Sequence, residues 1–590
     1  MRVRWRGLRK RGVTLRKTKI VATLGPASNN PEVFRRLVES GLDVARINLS
    51  HGMVDRHRDV IRMVRTVERD LGRPIGILLD TAGPEIRLRT ISDDGLWLRN
   101  GMTLTISDRA DADLKPSVPG LARLLKSGHQ LILGDGNLAL EVIDSGQQAL
   151  VKVVQGGHLD NNKKVTAPGQ AWALPVLTDD DVQSLKMGIE EGIDWIAASF
   201  IRKPEDVVDV RRQLESWGGA AIPIMAKIET RLAVENLDMI VRLADGIMVA
   251  RGDLGVEFPP EDVPWLQKTI IDAANRAGKP VVTATQMLES MVHSDRPTRA
   301  EVTDVAHAVL EGSDAVMLSE ETAMGDFPVQ AVEVMARAAQ SSEAHPWDGV
   351  ARVHYGSRTV TDAVCHAALT AADDLNARLI ITATESGHTA QAMAAHRPQV
   401  PILAVTPYQE VGRRLTIVWG LNTQIMKTRA TLDGMVDEAL IIAAKTGLAD
   451  AGDRVVVTAG APVGEPGSTN VLRVARLGRV LLRGQGLGPE GEVKGPVLVV
   501  EDPLTVDPQQ ALGKILVAAQ SDGDWTDLMA KSRAIVVEAG GLTSHAAVVG
   551  VSLGIPTVVD VHEAASLLMT GQVVTVDAGA GLILQADEVG

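Results

Sequence analysis

The sequence predicts an α/β protein whose largest part is a (β/α)8 (TIM) barrel, and three observations support this. Eight short apolar runs recur along the first 345 residues, and a helical stretch follows each run. A turn-rich segment without helical periodicity interrupts the third unit, between about residues 83 and 176. Two further blocks with their own strands and helices follow, from residue 350 and from about residue 496.

The eight apolar runs are nearly continuous rather than alternating, which is typical of parallel strands buried on both faces. They lie at residues 19–24, 42–49, 76–80, 193–200, 222–229, 246–253, 280–286 and 314–319. Eight such units close a (β/α)8 barrel. We therefore assign residues 16–82 and 177–345 to the barrel.

The interruption at residues 83–176 predicts a small β domain inserted in a loop of the barrel, a position where barrels tolerate growth. Its turn-rich strands include residues 101–106 and 149–154.

Residues 350–476 are predicted to form a second α/β block, with strands at 379–383, 401–405 and 454–458. Residues 484–495 (GQGLGPEGEVKG) are rich in glycine and poor in apolar side chains, so we expect a flexible linker there. Residues 496–590 would then form a last domain.

The composition limits the possible functions. The chain has 590 residues, 45% of them apolar, and a formal charge of −13. Its single cysteine, Cys365, excludes a disulfide framework and fits a reducing, cytoplasmic compartment. No apolar run approaches the ~18 residues that a membrane span needs. A net acidic chain is also a poor nucleic-acid binder. We therefore expect an enzyme with neither a membrane nor a nucleic-acid partner.

Residues 1–15 depart from this acidic character, because they carry several arginines and no acid. We expect a solvated basic tail. A transit peptide, an arm for an anionic ligand and a start site assigned too far upstream are the alternatives.

Polar side chains collect at the C-terminal ends of the predicted strands, where (β/α)8 barrels build their active sites. Five strands end in this way, with Arg46, Asn48 and Ser50; Asp80 and Thr81; Lys227 and Glu229; Arg251 and Asp253; and Thr283, Thr285 and Gln286. A charged strand end in solvent would explain any one of them. Five strands with polar ends at the same side of the barrel favour an active site there.

The residue types in this set suit a metal and a phosphate. Glu229 and Asp253 are hard oxygen ligands, suited to Mg²⁺ or Mn²⁺. The cations Arg46, Arg87 and Lys227 favour a phosphate over a carbohydrate. A further set provides oxygens without a basic partner, which suits a cage for a monovalent cation: Asn48, Ser50, Asp80 and Thr81. The sequence has no evident Ser-His-Asp arrangement and no Walker-type loop.

Seven motifs together resemble the pyruvate kinase family and follow its order. They are residues 18–28 (TKIVATLGPAS), 45–52 (ARINLSHG), 79–87 (LDTAGPEIR), 225–229 (MAKIE), 247–255 (IMVARGDLG), 284–291 (ATQMLESM) and 297–305 (PTRAEVTDV). The resemblance runs from about residue 16 to 474. It implies a glycolytic phosphotransferase that converts phosphoenolpyruvate and ADP to pyruvate and ATP, and it implies that the inserted domain is a small β-barrel lid.

The resemblance also implies roles for individual residues. Arg46 would hold the substrate phosphate, Lys227 would neutralise the transferring phosphoryl group, and Thr285 would belong to the proton path to pyruvate. Gly252 and Asp253 would contact the substrate, and Glu229 with Asp253 would bind Mg²⁺ or Mn²⁺. The K⁺ ligands would be Asn48, Ser50, Asp80 and Thr81. The nucleotide side would hold Asn48, His51, Arg87 and one of Lys163 and Lys164.

Four further positions matter within that resemblance. An acid at Glu85 goes with a requirement for K⁺ in the family. Ala82 stands where a lysine is common, Glu320 where a glycine is usual and His307 where an asparagine is common. These three departures concern nucleotide affinity or loop geometry rather than the reaction.

The second α/β block resembles the regulatory domain of the same family, and the resemblance implies a homotetramer. Its loop at residues 384–389 (TESGHT) follows a strand and opens a helix, so Thr384, Ser386, Gly387 and Thr389 could bind a phosphorylated effector. A helix cap without a ligand is the alternative. Family members activated by fructose 1,6-bisphosphate often carry a lysine at the position of Glu385, so the resemblance implies a sugar monophosphate or AMP instead.

The last block contains residues 540–550 (GGLTSHAAVVG) and resembles the phosphohistidine swivelling domain of phosphoenolpyruvate synthase and pyruvate phosphate dikinase. His545 is the corresponding histidine, near a helix N-terminus where a phosphate is favoured. We favour a packing or regulatory role for this domain over phosphorylation of His545.

Two other functions remain as alternatives. A metal-dependent lyase acting on pyruvate or phosphoenolpyruvate could share the barrel and the carboxylates. A phosphohistidine carrier or sensor would use His545 instead.

Overall fold

The computed structural model describes residues 16–90, 94–134, 136–170, 172, 174–345, 359–429, 431–450, 452–462, 469–478, 480–489, 491–579 and 581–585. The predicted basic tail, residues 1–15, lies outside this set. The chain divides into two compact units. One comprises Met1–Leu369, Thr382–Leu432 and Thr458–Leu472, and the other comprises Thr370–Ile381, Asp433–Val457 and Arg473–Gly590. Within the described part of the chain, no helix is both long and apolar enough to cross a membrane.

The first part of the barrel alternates strand and helix as predicted. Its elements are β1 (Lys19–Thr23), α1 (Pro31–Glu39), β2 (Val44–Asn48), α2 (Val54–Leu71) and β3 (Gly76–Asp80). The side chains of β1 and β3 are buried throughout, as expected for strands covered on both faces.

The inserted domain follows β3. Its elements are β4 (Arg87–Thr90), β5 (Leu96–Leu98), β6 (Thr103–Ile106), β7 (Leu114–Pro116), α3 (Leu121–Leu124), β8 (Gln130–Leu133), β9 (Leu138–Asp144), β10 (Ala149–Gln155), β11 (Gly157–Leu159) and β12 (Lys163–Thr166). Seven of these strands, in the order β10-β6-β7-β4-β12-β8-β9, close a second barrel. Buried and exposed residues alternate along β10, so that barrel has an apolar interior. The short helix α3 is an exception to the predicted lack of helices.

The chain then returns to the main barrel. Its remaining elements are α4 (Asp179–Glu190), β13 (Trp195–Ala198), α5 (Pro204–Ser216), β14 (Ile224–Ile228), α6 (Arg231–Glu235), α7 (Leu237–Leu243), β15 (Gly246–Ala250), α8 (Arg251–Glu257), α9 (Val263–Arg276), β16 (Val281–Ala284), α10 (Arg299–Glu311), β17 (Ala315–Leu318), α11 (Glu320–Ala323) and α12 (Pro328–Glu343).

Eight parallel strands in the described residues close the main barrel, because β1 pairs with both β2 and β17. This confirms the predicted (β/α)8 barrel with its inserted β barrel. One boundary differs from the prediction. β15 ends at Ala250, so Arg251 and Asp253 lie in the first turn of α8 rather than in the strand.

The second α/β block contains α13 (Val360–Asp374), β18 (Leu379–Ala383), α14 (His388–Ala395), β19 (Ile402–Thr406), α15 (Gln409–Arg414), β20 (Leu421–Ile425), α16 (Leu432–Thr446), β21 (Arg454–Gly460) and β22 (Thr469–Arg476). The five strands form one sheet in the order β20-β19-β18-β21-β22. β18, β19 and β21 occupy the three predicted strand positions.

The last domain contains β23 (Val480–Arg483), β24 (Gln485–Leu487), β25 (Glu492–Val499), β26 (Ile515–Ala518), α17 (Thr526–Lys531), β27 (Ala534–Val537), α18 (His545–Leu553), β28 (Thr557–Val559), α19 (Ala564–Leu567), β29 (Val573–Asp577) and β30 (Leu582–Gln585). The eight strands among its described residues form one sheet in the order β23-β30-β29-β25-β26-β27-β28-β24.

The prediction of a flexible linker at residues 484–495 is wrong. β24 pairs with β28, and β25 pairs with β29 and β26, so most of this segment belongs to the sheet. Its glycines allow close backbone contacts. A Cβ at Gly484 would lie 2.3 Å from Val559 O, and one at Gly486 would overlap Ala578 O. The domain therefore begins before residue 496.

Candidate active site

Arg46 links three neighbouring barrel strands at their C-terminal ends. Its Nε donates a hydrogen bond to Asp80 Oδ2 at 2.7 Å, and its Nη1 donates to Thr23 Oγ1 at 2.7 Å. The parallel register places these residues together, because Thr23 lies opposite Arg46 and Asn48 lies opposite Asp80. These bonds fix the plane of a nearly buried guanidinium, a geometry suited to a phosphate.

Asp80 has two basic partners, which corrects the prediction that the proposed K⁺ oxygens lack one. Besides Arg46, Lys227 Nζ lies 3.1 Å from Asp80 Oδ1. Burial opposes ionisation of Asp80, but the charges of Lys227 and Arg46 outweigh it and hold its pKa below the ordinary value. Asp80 is therefore an ionised carboxylate between two cations.

The other proposed K⁺ ligands lie beside Asp80. Asn48 Oδ1 accepts a hydrogen bond from Ser50 N at 3.1 Å. Thr81 Oγ1 accepts one from Ser199 N at 3.0 Å, and Thr81 O accepts one from Ser199 Oγ at 2.6 Å. Hydrogen bonds thus hold the side-chain oxygen of Asn48 and both oxygens of Thr81 in place.

Glu229 is buried directly after β14, and its two carboxylate oxygens have different surroundings. Its Oε2 accepts a hydrogen bond from Phe200 N at 2.6 Å. Lys227 Nζ lies 2.9 Å from its Oε1, yet no residue in the described part of the chain makes a hydrogen bond of good geometry to that atom. Burial, opposed by the charge of Lys227 and aided by that of Asp253, raises the pKa of Glu229 to about 7.

Asp253 completes a pair of carboxylates that fits a divalent cation. Burial opposes its ionisation, but Lys164 and Lys227 hold the pKa of Asp253 below its ordinary value. The described residues contain no cluster of three or more His, Cys, Asp or Glu side chains arranged for a metal. Two carboxylates nevertheless suit Mg²⁺, which usually retains water and substrate oxygens in its shell, and Glu229 Oε1 accepts no hydrogen bond of good geometry among the described residues.

Lys164 brings a cation from the inserted domain to the main barrel. It lies on β12, forms an ion pair with Asp253 and lies 3.6 Å from Glu85 Oε1. Its Nζ also lies 4.5 Å from the centre of the Phe200 ring. The neighbouring Lys163 instead pairs with Asp160 at 3.2 Å and is more exposed. Of the two candidate lysines, Lys164 is therefore the one at the site.

Glu85 also binds Arg87, the other predicted cation on the nucleotide side. Arg87 Nη2 donates to Glu85 Oε2 at 2.5 Å, and its Nη1 donates to Asn162 O at 3.1 Å. His51 is exposed in the loop after β2, and its carbonyl oxygen lies 2.8 Å from His57 Nε2. Ala82 contributes only its backbone at this rim, where Ala82 N donates to Asp181 Oδ1 at 2.8 Å.

Thr285 lies directly after β16 in a rare backbone conformation. Its φ is 69° and that of Gln286 is 54°, values that are uncommon for residues other than glycine. The Thr285 hydroxyl donates to Ala284 O at 2.7 Å and accepts from Gly252 N at 2.9 Å. This contact places the hydroxyl beside the turn that carries Asp253.

Ser199 and Phe200, at the end of β13, are site residues that sequence reasoning missed. Ser199 Oγ accepts a hydrogen bond from Lys227 Nζ at 2.7 Å, and Phe200 contacts both Glu229 and Lys164. The signal was present, because β13 is apolar and turns polar at Ser199. Phe200 has a φ of 54°, which sequence does not reveal.

The predicted effector loop joins β18 to α14. Thr384 Oγ1 accepts a hydrogen bond from Gly387 N at 3.0 Å, and Ser386 Oγ lies 3.5 Å from His388 N. The hydroxyls of Thr389 and Thr469 are hydrogen-bonded to each other. The hydroxyls of Thr384 and Ser386 thus lie against backbone N–H groups at the start of α14, as in a helix cap. The use of this loop as an effector site stays a prediction.

His545 is the first residue of α18, as its motif predicts. Ser544 caps this helix, and its Oγ accepts a hydrogen bond from Ala547 N at 3.4 Å. The buried Nδ1 of His545 has no hydrogen-bond partner among the described residues. Phosphorylation of His545 stays a prediction.

The fold and this site together define a (β/α)8-barrel enzyme with a β-barrel lid. The chain matches family models described as pyruvate kinase, barrel domain (residues 15–332), pyruvate kinase, alpha/beta domain (362–475), and PEP-utilising enzyme, mobile domain (511–581).

Curated relatives named pyruvate kinase match nearly the whole chain. The protein of Bacillus licheniformis is 43% identical over 96% of this chain and 99% of its own length. That of Geobacillus stearothermophilus is 43% identical over 96% and 98%, and pyruvate kinase 2 of a Synechocystis species is 40% identical over 96% and 97%. The chain therefore belongs to the pyruvate kinase family of phosphotransferases, with the additional C-terminal domain that its last motif predicts.

Proposed function

We propose that this enzyme transfers the phosphoryl group of phosphoenolpyruvate to ADP and releases pyruvate and ATP, in the cytoplasm and with Mg²⁺ or Mn²⁺ and K⁺ as cofactors. The observation that carries the proposal is the position of Lys227, within 3.1 Å of both Asp80 and Glu229. Phosphoryl transfer needs positioning and charge neutralisation more than a covalent nucleophile. A fixed cation beside two buried carboxylates supplies both.

Each step uses a group that is already oriented. Arg46 binds the substrate phosphate with the guanidinium that Asp80 and Thr23 hold in place. Lys227 neutralises the phosphoryl group as it moves towards ADP. Thr285 belongs to the path that delivers a proton to C3 of the enolate and so completes pyruvate. Glu229 and Asp253 would hold a divalent cation, which when bound would supply positive charge to stabilise the phosphoryl group during transfer.

Lys164 couples the lid to this chemistry. Because its ion pair with Asp253 joins β12 to α8, closure of the lid brings a cation to the nucleotide side of the site. His51 and Arg87 lie toward the same side, with Asn48. A closed lid also excludes water, which would otherwise accept the phosphoryl group.

Potassium would bind at Asn48, Ser50, Asp80 and Thr81. The ionised state of Asp80 supports this, because its charge is held in place by Arg46 and Lys227. We expect activity in K⁺ and a large loss in Na⁺ or choline buffer. Equal activity in all three would contradict the K⁺ assignment without affecting the reaction.

The test of the reaction is pyruvate formation from phosphoenolpyruvate, measured with ADP, Mg²⁺ and K⁺ omitted in turn. We expect pyruvate and ATP in equal amounts and only when ADP and Mg²⁺ are present. Pyruvate formation without ADP would favour a lyase-type or hydrolytic reaction. Acid-labile label on His545 from ³²P-phosphoenolpyruvate, without ATP formation, would favour a carrier.

Glu229→Gln tests the carboxylate pair. We expect kcat to fall about 100-fold or more and the thermal shift on adding Mn²⁺ to disappear, because the variant loses a negative ligand. The control is Glu68→Gln, which alters a buried carboxylate paired with Arg413 at 2.7 Å near the opposite end of the barrel. A full Mn²⁺ shift in Glu229→Gln would contradict the assignment.

The other expectations follow from the family. We propose a homotetramer, tested by sedimentation, and a phosphorylated activator at residues 384–389, tested with AMP and sugar monophosphates. A clear response to fructose 1,6-bisphosphate would contradict the choice of activator.

For His545 we propose a packing or regulatory role, which the absence of acid-labile label would support.

A further inference from the structure

We infer that Arg251 is a positioning residue for the proton step: it holds Thr285 in its rare backbone conformation and frees the Thr285 hydroxyl to turn toward the substrate. This inference rests on the proposed function, in which Thr285 belongs to the proton path. It concerns the first residue of α8, whose side chain makes its hydrogen bonds to Thr285, Ala284, Asp304, Gln267 and Met287.

The turn at Thr285 and Gln286 needs external support. Two consecutive residues with side chains adopt positive φ, at 69° and 54°, and Thr285 is β-branched. Such residues persist when surrounding contacts hold them, and they are concentrated at functional sites. The contacts that hold this turn therefore determine where the Thr285 hydroxyl lies.

Arg251 provides those contacts with one planar group. Its Nη2 donates a hydrogen bond to Thr285 O at 2.6 Å, and its Nε lies 3.3 Å from Ala284 O. Its Nη1 donates to Asp304 Oδ1 of α10 at 2.7 Å. The side chain is only 10% exposed. The guanidinium thus binds two consecutive carbonyls of the turn while Asp304 fixes its orientation.

Ala284 O explains how the hydroxyl can be released. This carbonyl accepts hydrogen bonds from both the Thr285 hydroxyl, at 2.7 Å, and Arg251 Nε. If the hydroxyl turns toward the substrate, Ala284 O keeps Arg251 as its donor and is not left unpaired in a buried place. A lysine could not replace both contacts, because it presents a compact charge instead of a planar fork.

The experiment separates the proton step from phosphoryl transfer. Pyruvate is incubated in D₂O with enzyme, Mg²⁺, K⁺ and inorganic phosphate, and loss of the methyl proton signal is followed by NMR. In this exchange the C3–H bond breaks, the proton passes to solvent, and a C3–D bond forms without net oxidation. ATP formation from phosphoenolpyruvate and ADP is measured separately.

For Arg251→Lys we expect the exchange rate to fall about 10- to 100-fold, because small displacements of a reacting group have effects of this size. ATP formation should fall less, with KM for phosphoenolpyruvate within about twofold of wild type, because the phosphate contacts are intact. Asp304→Asn, which leaves Arg251 in place but weakens its orientation, should show a smaller loss of the same pattern.

The matched control is Arg211→Lys. Arg211 pairs with Asp245 at 2.6 Å next to the other end of β15, so it tests the loss of an arginine–aspartate pair without contact to Thr285. We expect wild-type exchange in this variant.

A double variant tests whether Arg251 acts through Thr285. In a Thr285→Ala background, Arg251→Lys should cause little further loss of exchange, because two changes to one pathway are not additive. If the double variant instead loses exchange by the product of the two single losses, the inference is overturned. Unchanged exchange in Arg251→Lys, or an equal loss in Arg211→Lys, would also overturn it. A wild-type enzyme that forms ATP without exchange would overturn it too, together with the role of Thr285. A wild-type enzyme that forms no ATP would contradict the proposed function itself.

Discussion

Lys227 and Lys19 lie near opposite ends of the barrel strands and are both buried, yet their pKa values are shifted in opposite directions. At the C-terminal ends of the strands, burial would lower the pKa of Lys227, but the charges of Asp80 and Glu229 outweigh it and raise the pKa above its ordinary value. The charged form of Lys227 is therefore favoured in the folded protein.

Lys19, at the start of β1, has a different balance of charges. Burial lowers the pKa of Lys19 to about 8, and the attraction of Asp43 is offset by Arg16 and Arg73. Its Nζ donates a hydrogen bond to Leu421 O at 2.6 Å. Around Lys19, the carboxylates Asp43 and Glu343 are balanced by Arg16 and Arg73, whereas the carboxylates beside Lys227 leave the opposite end of the barrel suited to bind an additional cation.

The largest expected effect is the difference in kcat and in the free energy of unfolding between Lys227→Met and Lys19→Met. We expect Lys227→Met to lose at least about 100-fold in kcat and about 3 kcal/mol in the free energy of unfolding without added metal, because it leaves buried carboxylates uncompensated. Replacing the less favourably placed Lys19 by an apolar side chain should change stability by about 1 kcal/mol or less. Urea denaturation and steady-state kinetics measure both. Equal losses would remove the distinction between the two ends.

A pH series sharpens the comparison at Lys19. Its pKa is lowered from 10.5 to about 8 on folding, so between these pH values the unfolded chain binds more protons than the folded one. Stability contributed by Lys19 therefore rises as pH increases from about 8 towards 10.5, by an amount of order 1–3 kcal/mol. The difference in denaturation midpoint between wild type and Lys19→Met should move in favour of wild type over that range. A constant difference would contradict the shift.

The smallest expected effect is on KM for ADP, and it concerns the cation–aromatic contacts near the two ends of the barrel strands. Phe200→Leu removes the ring 4.5 Å from Lys164 Nζ, so we expect KM for ADP to rise about two- to fivefold. Trp419→Leu is the counterpart, because Lys17 and Arg397 lie 5.0 Å and 4.8 Å from its ring near the opposite end. It should leave KM for ADP unchanged. A similar rise in both variants would mean that Phe200 acts through general packing.

Asp80 shows where inference from single residues reaches its limit. Its place at the end of β3 is readable from the sequence, and so are the ends of the strands that carry Arg46 and Lys227. Its two basic partners are not, because Lys227 comes from a strand about 150 residues away that faces Asp80 only after the barrel closes. The same limit applies to Lys163 and Lys164, since adjacent strand residues point to opposite faces and only the register of β12 selects one.

Residues 484–495 show a second limit. Glycine-rich composition predicts flexibility, because glycine has the greatest backbone freedom. In the sheet, Gly484 and Gly486 serve a different purpose. Because they lack a Cβ, neighbouring backbones approach them within distances that a side chain would prevent. Local composition cannot separate these two uses of glycine, since the neighbouring backbone comes from residues 559 and 578.

The sequence by itself determined the barrel with its inserted domain and the strand ends at which most candidate site residues lie. Strand burial and helix periodicity are local properties, and the ends of eight parallel strands must meet at one rim once the barrel closes. The tertiary structure alone decided how those residues are paired: Asp80 with two cations, Lys164 with Asp253, and Arg251 with the carbonyl of Thr285. Such pairings depend on strand register and on the distances between side chains far apart in the chain, and these exist only in the folded molecule.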